Sequence, residues 1–350
     1  MRELKYILKS LIFSSVVFAA VSCERIYEGG QDCSTKIKFE FRKHRQALQA
    51  INGNASDVFD SSVGTVHLFI YDEGTGALAD ERFVRTEDLK TESELGIGTG
   101  SAKCYLPVQL DPGKYRFVAW CGLGGDDRSN AFELTDGTRA GNYGECRVIL
   151  SADGQPVHDG KYESLFHGAA RNVTVTDGGG VVPVQLTKDT NDIAVMVQHL
   201  TAKLVPEDYD VVYSDANGSM KFDDNSVDGG RVLEYRQHTK SLLETSTEFN
   251  GELAETGALT AHISTARLMM SNMETAKLEV RNRAGETVFS IPFIKYLMQM
   301  QTFTSDGQYY LDCEDTYNCS FYLSGDYSRW TPTHIIINNW VKVPDQEGNI

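Results

Sequence analysis

The sequence predicts an all-β protein of two antiparallel sandwich domains in tandem, and three observations carry that prediction. Apolar residues recur at every second position in nearly every periodic segment after residue 34, as half-buried strands require. Turns rich in Gly, Asp, Asn and Pro punctuate these runs, with few helical stretches between them. The 350 residues, 41% of them hydrophobic, exceed one typical core and suggest two of about 150 residues each.

The chain opens on a leader. Arg2, Lys5 and Lys9 form a positive region, and Leu11 to Val21 form an apolar run too short to span a bilayer. Ala20, Val21 and Ser22 then precede Cys23 in the order that bacterial lipoprotein leaders use. Lipoprotein signal peptidase cuts between a small residue and a cysteine whose thiol carries the lipid. Residues 1–22 are therefore assigned as signal peptide, cleavage as Ser22–Cys23, Cys23 as the lipidation site and 23–33 as a tether. An ordinary leader cleaved after Ser22 is the alternative, because Ala20-x-Ser22 also satisfies the small-residue rule. The polar "ERIYEGGQD" reads as a flexible leash.

In the first domain, placed at 34–187, "RQALQAI" (45–51) is a short helical candidate. "TVHLFIYDEGTG" is a strand entering a hairpin, with Val66, Leu68 and Ile70 on one face and His67, Phe69 and Tyr71 on the other. "GIGTG" (96–100) has neither the dinucleotide nor the phosphate-loop spacing and reads as a mobile surface loop. In "YLPVQLDPGKYRFVAWCG", Asp111, Pro112 and Gly113 break two alternating runs in the manner of a tight turn. His167 in "SLFHGAA" reads as a packed, hydrogen-bonded histidine. "VTVTDGGGVVPVQL" repeats the strand–turn–strand pattern, and a polar break at Lys188 to Asp192 sets the boundary near residue 187.

The second domain, 188–350, contains "FDDNSVDGG" (222–230), whose Asp223, Asp224, Asn225 and Asp228 read as a polar turn rather than a calcium loop, since the EF-hand spacing is absent. "AKLEVRNRAGETVFSIPF" holds two alternating arms around "NRAGE", and "FIKYLMQM" (293–300) is the best helical candidate.

A formal charge of −16 arises from 49 acidic against 33 basic residues. Removing residues 1–22, which carry a net +2, leaves −18, and such a surface repels nucleic acid. Seven cysteines leave one unpaired in an exported protein, and lipidation of Cys23 leaves six; Cys313 and Cys319, six apart in what reads as a turn, form the candidate disulfide. The scattered histidines hold no His-Glu-x-x-His pair and no Gly-x-Ser-x-Gly elbow appears, so neither a metal, a cofactor nor an enzymatic activity is expected.

These segments resemble the FimB/Mfa-type fimbrial lipoproteins of Bacteroidales, the anchor and minor subunits of type V pili. The resemblance runs through Cys23, Cys33 before "TKIKFEF", "VHLFIYDEGTGAL", "LDPGKYRFVAWCG" as a hairpin ending in Trp, "SLFHG", "VQLTKDTNDIAV", "QYYLDCEDTYNCSFYLSG" and "THIIINNWVKV". Cys313 and Cys319 depart from the residues expected at their places. The resemblance implies two transthyretin-like Greek-key β-sandwiches, outer-membrane location through the N-terminal lipid, and fimbrial stalk pilins as partners joined by strand exchange. "KIKFEF" would be the first strand that an anchor retains. The segment from Thr333 to Val343, with Ile335, Ile337 and Trp340, would be either a donated strand or the last strand of its own domain. "RKHR", with Arg42, Lys43 and Arg45, suits an Arg- or Lys-specific protease, and a cut there would release a stalk or tip subunit instead. The competing class is a surface glycan-binding lipoprotein presenting Trp120, Trp330 or Trp340.

Overall fold

The computed structural model describes residues 33–42, 59–150, 157–201, 203–223, 231–249, 252–299, 307–325, 329–338 and 340–342. The described residues from Ser34 onward form one compact unit. The strands before residue 189 are β1 (Thr35–Phe41), β2 (Thr65–Asp72), β3 (Leu78–Arg85), β4 (Tyr105–Val108), β5 (Gly113–Cys121), β6 (Phe132–Leu134), β7 (Arg147–Leu150), β8 (Val157–His158), β9 (Phe166–Val175) and β10 (Gly180–Lys188). Those after it are β11 (Thr190–His199), β12 (Tyr209–Asp215), β13 (Ser219–Lys221), β14 (Leu233–Arg236), β15 (Thr239–Phe249), β16 (Glu252–Ala266), β17 (Lys277–Asn282), β18 (Thr287–Pro292), β19 (Thr316–Gly325), β20 (Trp330–Ile337) and β21 (Trp340–Lys342). The helices are short: α1 (Phe59–Ser62), α2 (Glu92–Leu95), α3 (Gly137–Ala140), α4 (Phe293–Gln299) and α5 (Gly307–Cys313). The fold is all-β, as the two-residue alternation predicts.

The first sheet has seven strands in the order β3-β2-β5-β9-β10-β1-β4. Ile37 and Phe39 of β1 share one apolar core with Val66 and Leu68 of β2, although four positions separate the two strands in the sheet. The sheet therefore folds over on itself, and its two ends face each other as layers. The turn after β9 marks where it splits. β9 and β10 ladder only at 166–168 with 186–188, while the rest of β9 pairs with β5 and the rest of β10 with β1.

Two expectations about this sheet are corrected. β4 and β5 are not a hairpin: β4 pairs with β1, whereas β5 lies between β2 and β9, so Asp111 to Gly113 carry the chain from one layer to the other. Nor is β2 half-buried. Val66, Leu68 and Ile70 enter the core just described, and Phe69 and Tyr71 enter a second one on the opposite face. The faces alternate as the sequence indicates, but both are covered.

The second core continues from Trp120 and Phe132 through Tyr213 and Phe289 to Ile193, Phe321 and Ile335. It is enclosed by a six-stranded sheet, β15-β16-β11-β19-β20-β21, a five-stranded sheet, β18-β17-β12-β14-β8, and a three-stranded one, β13-β7-β6. The last two contain strands from both sides of residue 189: β7 pairs with β13 at Val148–Met220, and β8 with β14 at His158–Tyr235. α4 matches its sequence candidate, burying Phe293, Ile294, Tyr296 and Leu297 at helical spacing. The 45–51 candidate lies outside the described residues.

Candidate functional site

Three features that the sequence singles out for function are the first strand, the passage between the halves and the last strands. β1 pairs parallel with β10 over seven residues, from Thr35–Gly180 to Phe41–Leu186, and antiparallel with β4 over four. The Phe39 amide donates to the Cys104 carbonyl at 2.9 Å, and the Arg42 amide to the Leu186 carbonyl at 2.9 Å. Ile37 and Phe39 are 0% exposed. Phe39 stacks on Phe59 at 5.9 Å between ring centroids, and Phe41 meets Phe166 at 5.1 Å. Removing this strand would unpair two ladders and open the core that its aromatic face fills. Arg42 is exposed where the ladder ends. Lys43 and Arg45 lie outside the described residues, as do Ser22 and Cys23.

The passage between the halves is a single residue, Asp189, rather than the polar stretch that the sequence suggests. Asp189, Thr190 and Asn191 are all buried. The Asp189 carboxylate meets His167 Nδ1 at 2.8 and 2.9 Å, and its amide donates to the Leu165 carbonyl at 2.7 Å. His167 packs against Trp120 at 5.5 Å, a packed, hydrogen-bonded histidine as the sequence indicates. Lys188 Nζ donates to Asp315 Oδ2 at 2.6 Å, and the Asp192 amide donates to the Asp315 carbonyl at 2.8 Å. Hydrogen-bonded polar pairs thus occupy the junction on both sides, and a buried carboxylate needs such partners.

Of the C-terminal residues, Thr333, Ile335 and Ile337 lie in β20, which pairs antiparallel with β19. Ile335 and Ile337 fill the second core, and Thr333 Oγ1 donates to the Tyr322 carbonyl at 2.8 Å. β21 follows and pairs Ile337 with Trp340. Val343 lies outside the described residues.

The disulfide expected between Cys313 and Cys319 is not formed. Cys313 ends α5, half-buried, whereas Cys319 takes an inward position of β19 between Tyr317 and Phe321. Strand alternation commits Cys319 to the core, where its thiol donates to the Tyr317 carbonyl at 3.9 Å. Burial pushes the thiols of Cys121, Cys146 and Cys319 up, Cys146 to about 11. Trp120 and Trp330 are buried, so neither offers a surface platform. Only Phe222 and Asp223 of the acidic turn belong to the described residues, among which no group of three His, Cys, Asp or Glu side chains could hold a metal. Of the glycines of 96–100, Gly98 and Gly100 lie against one carboxylate: a Cβ at either would crowd Glu92 Oε2.

One cluster is not legible in the sequence. Arg139 on α3 pairs with both Glu81 of β3 and Asp127, and Glu81 also meets His67 Nε2 at 2.7 Å. The guanidinium holds both carboxyls below the usual carboxylate range. Its members come from positions 67 to 139, and no local spacing links them.

Residues 30–345 match the family model described as fimbrillin-A associated anchor proteins Mfa1 and Mfa2. No curated protein matches the chain in sequence. Among solved structures, a candidate adhesin of Bacteroides thetaiotaomicron is 24% identical, covering 89% of this chain and 97% of its own, with a TM-score of 0.68. A candidate polysaccharide-binding protein of the same species is 21% identical over 91% and 100%, with a TM-score of 0.68. The fimbrial anchor protein Mfa2 of Porphyromonas gingivalis is 16% identical over 89% and 98%, with a TM-score of 0.56. At these identities the structures share the fold.

Proposed function

The chain belongs to the family of fimbrillin-A associated anchor proteins, a fimbrial and non-enzymatic family of the cell surface, and on that premise we propose that it is the lipid-anchored subunit that ties a fimbria to the outer membrane. Its mature form begins at acylated Cys23 and runs through the tether 23–33 into the folded body, whose sheets join strands from both sides of residue 189. Each buried methylene contributes about 0.8 kcal/mol, so two or three acyl chains hold essentially for good where one holds marginally.

The observation that carries this reading is the position of β1. A subunit anchored by its N-terminus transmits load only while the first strand stays joined to the body. Here that strand is laddered on both sides, with Ile37 and Phe39 fully buried. The basic "RKHR" begins only where the ladder ends, so a cut there would separate lipid from body. A stalk pilin attaches by strand exchange, and the outer edge at β21, where Val341 is 62% exposed, supports such an addition. Thr333 to Ile337 serve the chain's own sheet, because withdrawing β20 would take Ile335 and Ile337 out of the core.

Fractionation of the native host tests the reading. The expected result is full-length mature protein in the membrane fraction, with an N-terminal mass corresponding to acylated Cys23. Recovery of a chain beginning near residue 46 in sheared fimbriae would overturn it.

A further inference from the structure

The outer face of the six-stranded sheet carries a pattern that burial and pairing alone do not require. Its inner face is the wall of the second core, with Ile193, Val195 and Val197 of β11 buried. On the outer face, one register row crosses all six strands: Ser241, Thr260, Met196, Ser320, Ile336 and Val341. All six are partly or fully exposed. The rows on either side run from Thr239 to Asn318 and from Leu243 to His334. These fifteen register positions hold no Lys, Arg, Asp or Glu, and all of them except the buried Ala258 and Gln198 are partly or fully exposed. Asp192, beyond the first row, bonds the Ser264 hydroxyl at 2.8 Å.

A solvated protein surface is about 25–35% charged, so the thirteen exposed positions would ordinarily hold about three or four charges. This chain has 82 charged residues and a net charge of −16, and their absence sets this face apart from the rest of the surface. The first sheet shows the contrast: Lys38 and Glu40 of β1 project outward as an ion pair at 3.3 Å.

The chemistry and the area together select an occupant. With Met196, Ile336, Val341 and Leu243 among Ser, Thr and Asn, the face suits another uncharged β-sheet surface. A charged surface placed here would be desolvated without a partner. Five strand spacings by six residues give roughly 24 by 20 Å, or about 500 Å², below the ~800 Å² per partner of a stable independent complex. A contact of this size holds only between molecules already joined elsewhere. We propose that this face packs against an uncharged sheet face of the adjoining fimbrial subunit, as a second contact beside the strand-mediated joint. The inference rests on the fimbrial reading above, and it makes the face a determinant of how firmly the stalk sits on this subunit.

The test places each sign of charge at the centre of the row. Full-length Ser320→Lys, Ser320→Glu and Ser320→Thr are expressed in the native host. Three quantities are read: unfolding midpoint, membrane retention of the subunit, and stalk subunits co-purified per copy. Both charged variants are expected to unfold and fractionate like wild type while co-purified stalk falls about ten-fold, and Ser320→Thr is expected to retain it. Wild-type co-purification with either charge would overturn the proposal. So would selective rescue by one sign, which would indicate a charged partner, or retardation of the wild type by a glycan lost in both charged variants without change in stalk. Membrane retention reads the anchor assignment separately. Should Ser320 variants unfold, Thr260→Lys and Thr260→Glu in the same row carry the same expectation and the same refutation.

Discussion

His167 Nδ1 and the Asp189 carboxylate meet at 2.8 Å at the one residue that separates β10 from β11, with both side chains at most 1% exposed. The pair holds the crossing of the chain from the seven-stranded to the six-stranded sheet. Trp120 packs against the imidazole, and the Lys188–Asp315 bond ties the same crossing to the residues just before β19.

Removing one partner of a buried pair strands the other, at about 3–5 kcal/mol. Asp189→Ala is therefore expected to lower unfolding free energy by that amount, measured by urea denaturation. A double-mutant cycle with His167→Ala should give a coupling energy of about 1–3 kcal/mol. Additive losses would show that the two residues act independently.

The aromatic face of β1 carries the second expectation. Phe39 is fully buried and stacks on Phe59, so Phe39→Ala should cost about 3–5 kcal/mol through lost burial and a residual cavity. Thermal unfolding checks this, and a loss under 1 kcal/mol would mean that β1 contributes little to holding the first core.

Asp215 supplies a pH dependence. Its carboxylate accepts from Tyr213 Oη at 2.7 Å and Asn272 Nδ2 at 2.6 Å, yet burial pushes its pKa up from 3.8 to about 6. A carboxyl raised in the folded state contributes stability below its unfolded value and loses it as pH rises through the folded one. Relative to Asp215→Asn, wild type should thus gain about 2 kcal/mol as pH falls from 7 to 4, at about 1.4 kcal/mol per unit. Parallel stability curves for the two proteins would refute the assignment.

The thiols give a chemical test. A maleimide at pH 7.5 should label Cys33 and Cys313 of the folded protein first, since both are half-buried. The buried Cys121, Cys146 and Cys319 should react only on unfolding, their pKa values being raised. Cys313→Ser should cost under about 1 kcal/mol, whereas loss of a native disulfide costs about 2–5 kcal/mol. A loss in the upper range, with a mobility change on reduction, would restore the Cys313–Cys319 bond.

The strands were legible because a two-residue period is local: "TVHLFIYD" assigns Val66, Leu68 and Ile70 to one face without knowledge of its neighbours. "FIKYLMQ" was legible as a helix for the same reason, its buried positions recurring at helical spacing. The turn at Asp111 to Gly113 was readable as a turn, but not as a crossing between layers, because pairing partners are chosen by distant strands. Cys313 and Cys319 look bonded when only their separation is known; the alternation of β19 turns Cys319 inward.

By itself the sequence determined an acidic, strand-built chain, since both properties rest on composition or on neighbouring residues. Only the tertiary structure decided that β1 lies inside a folded-over sheet, that the halves meet through hydrogen-bonded side-chain pairs around Asp189, and that six strands align their uncharged positions into one face. The physical reason is that register and burial are set between segments, where residues such as Met196, Ser320 and Ile336, far apart in the chain, become neighbours.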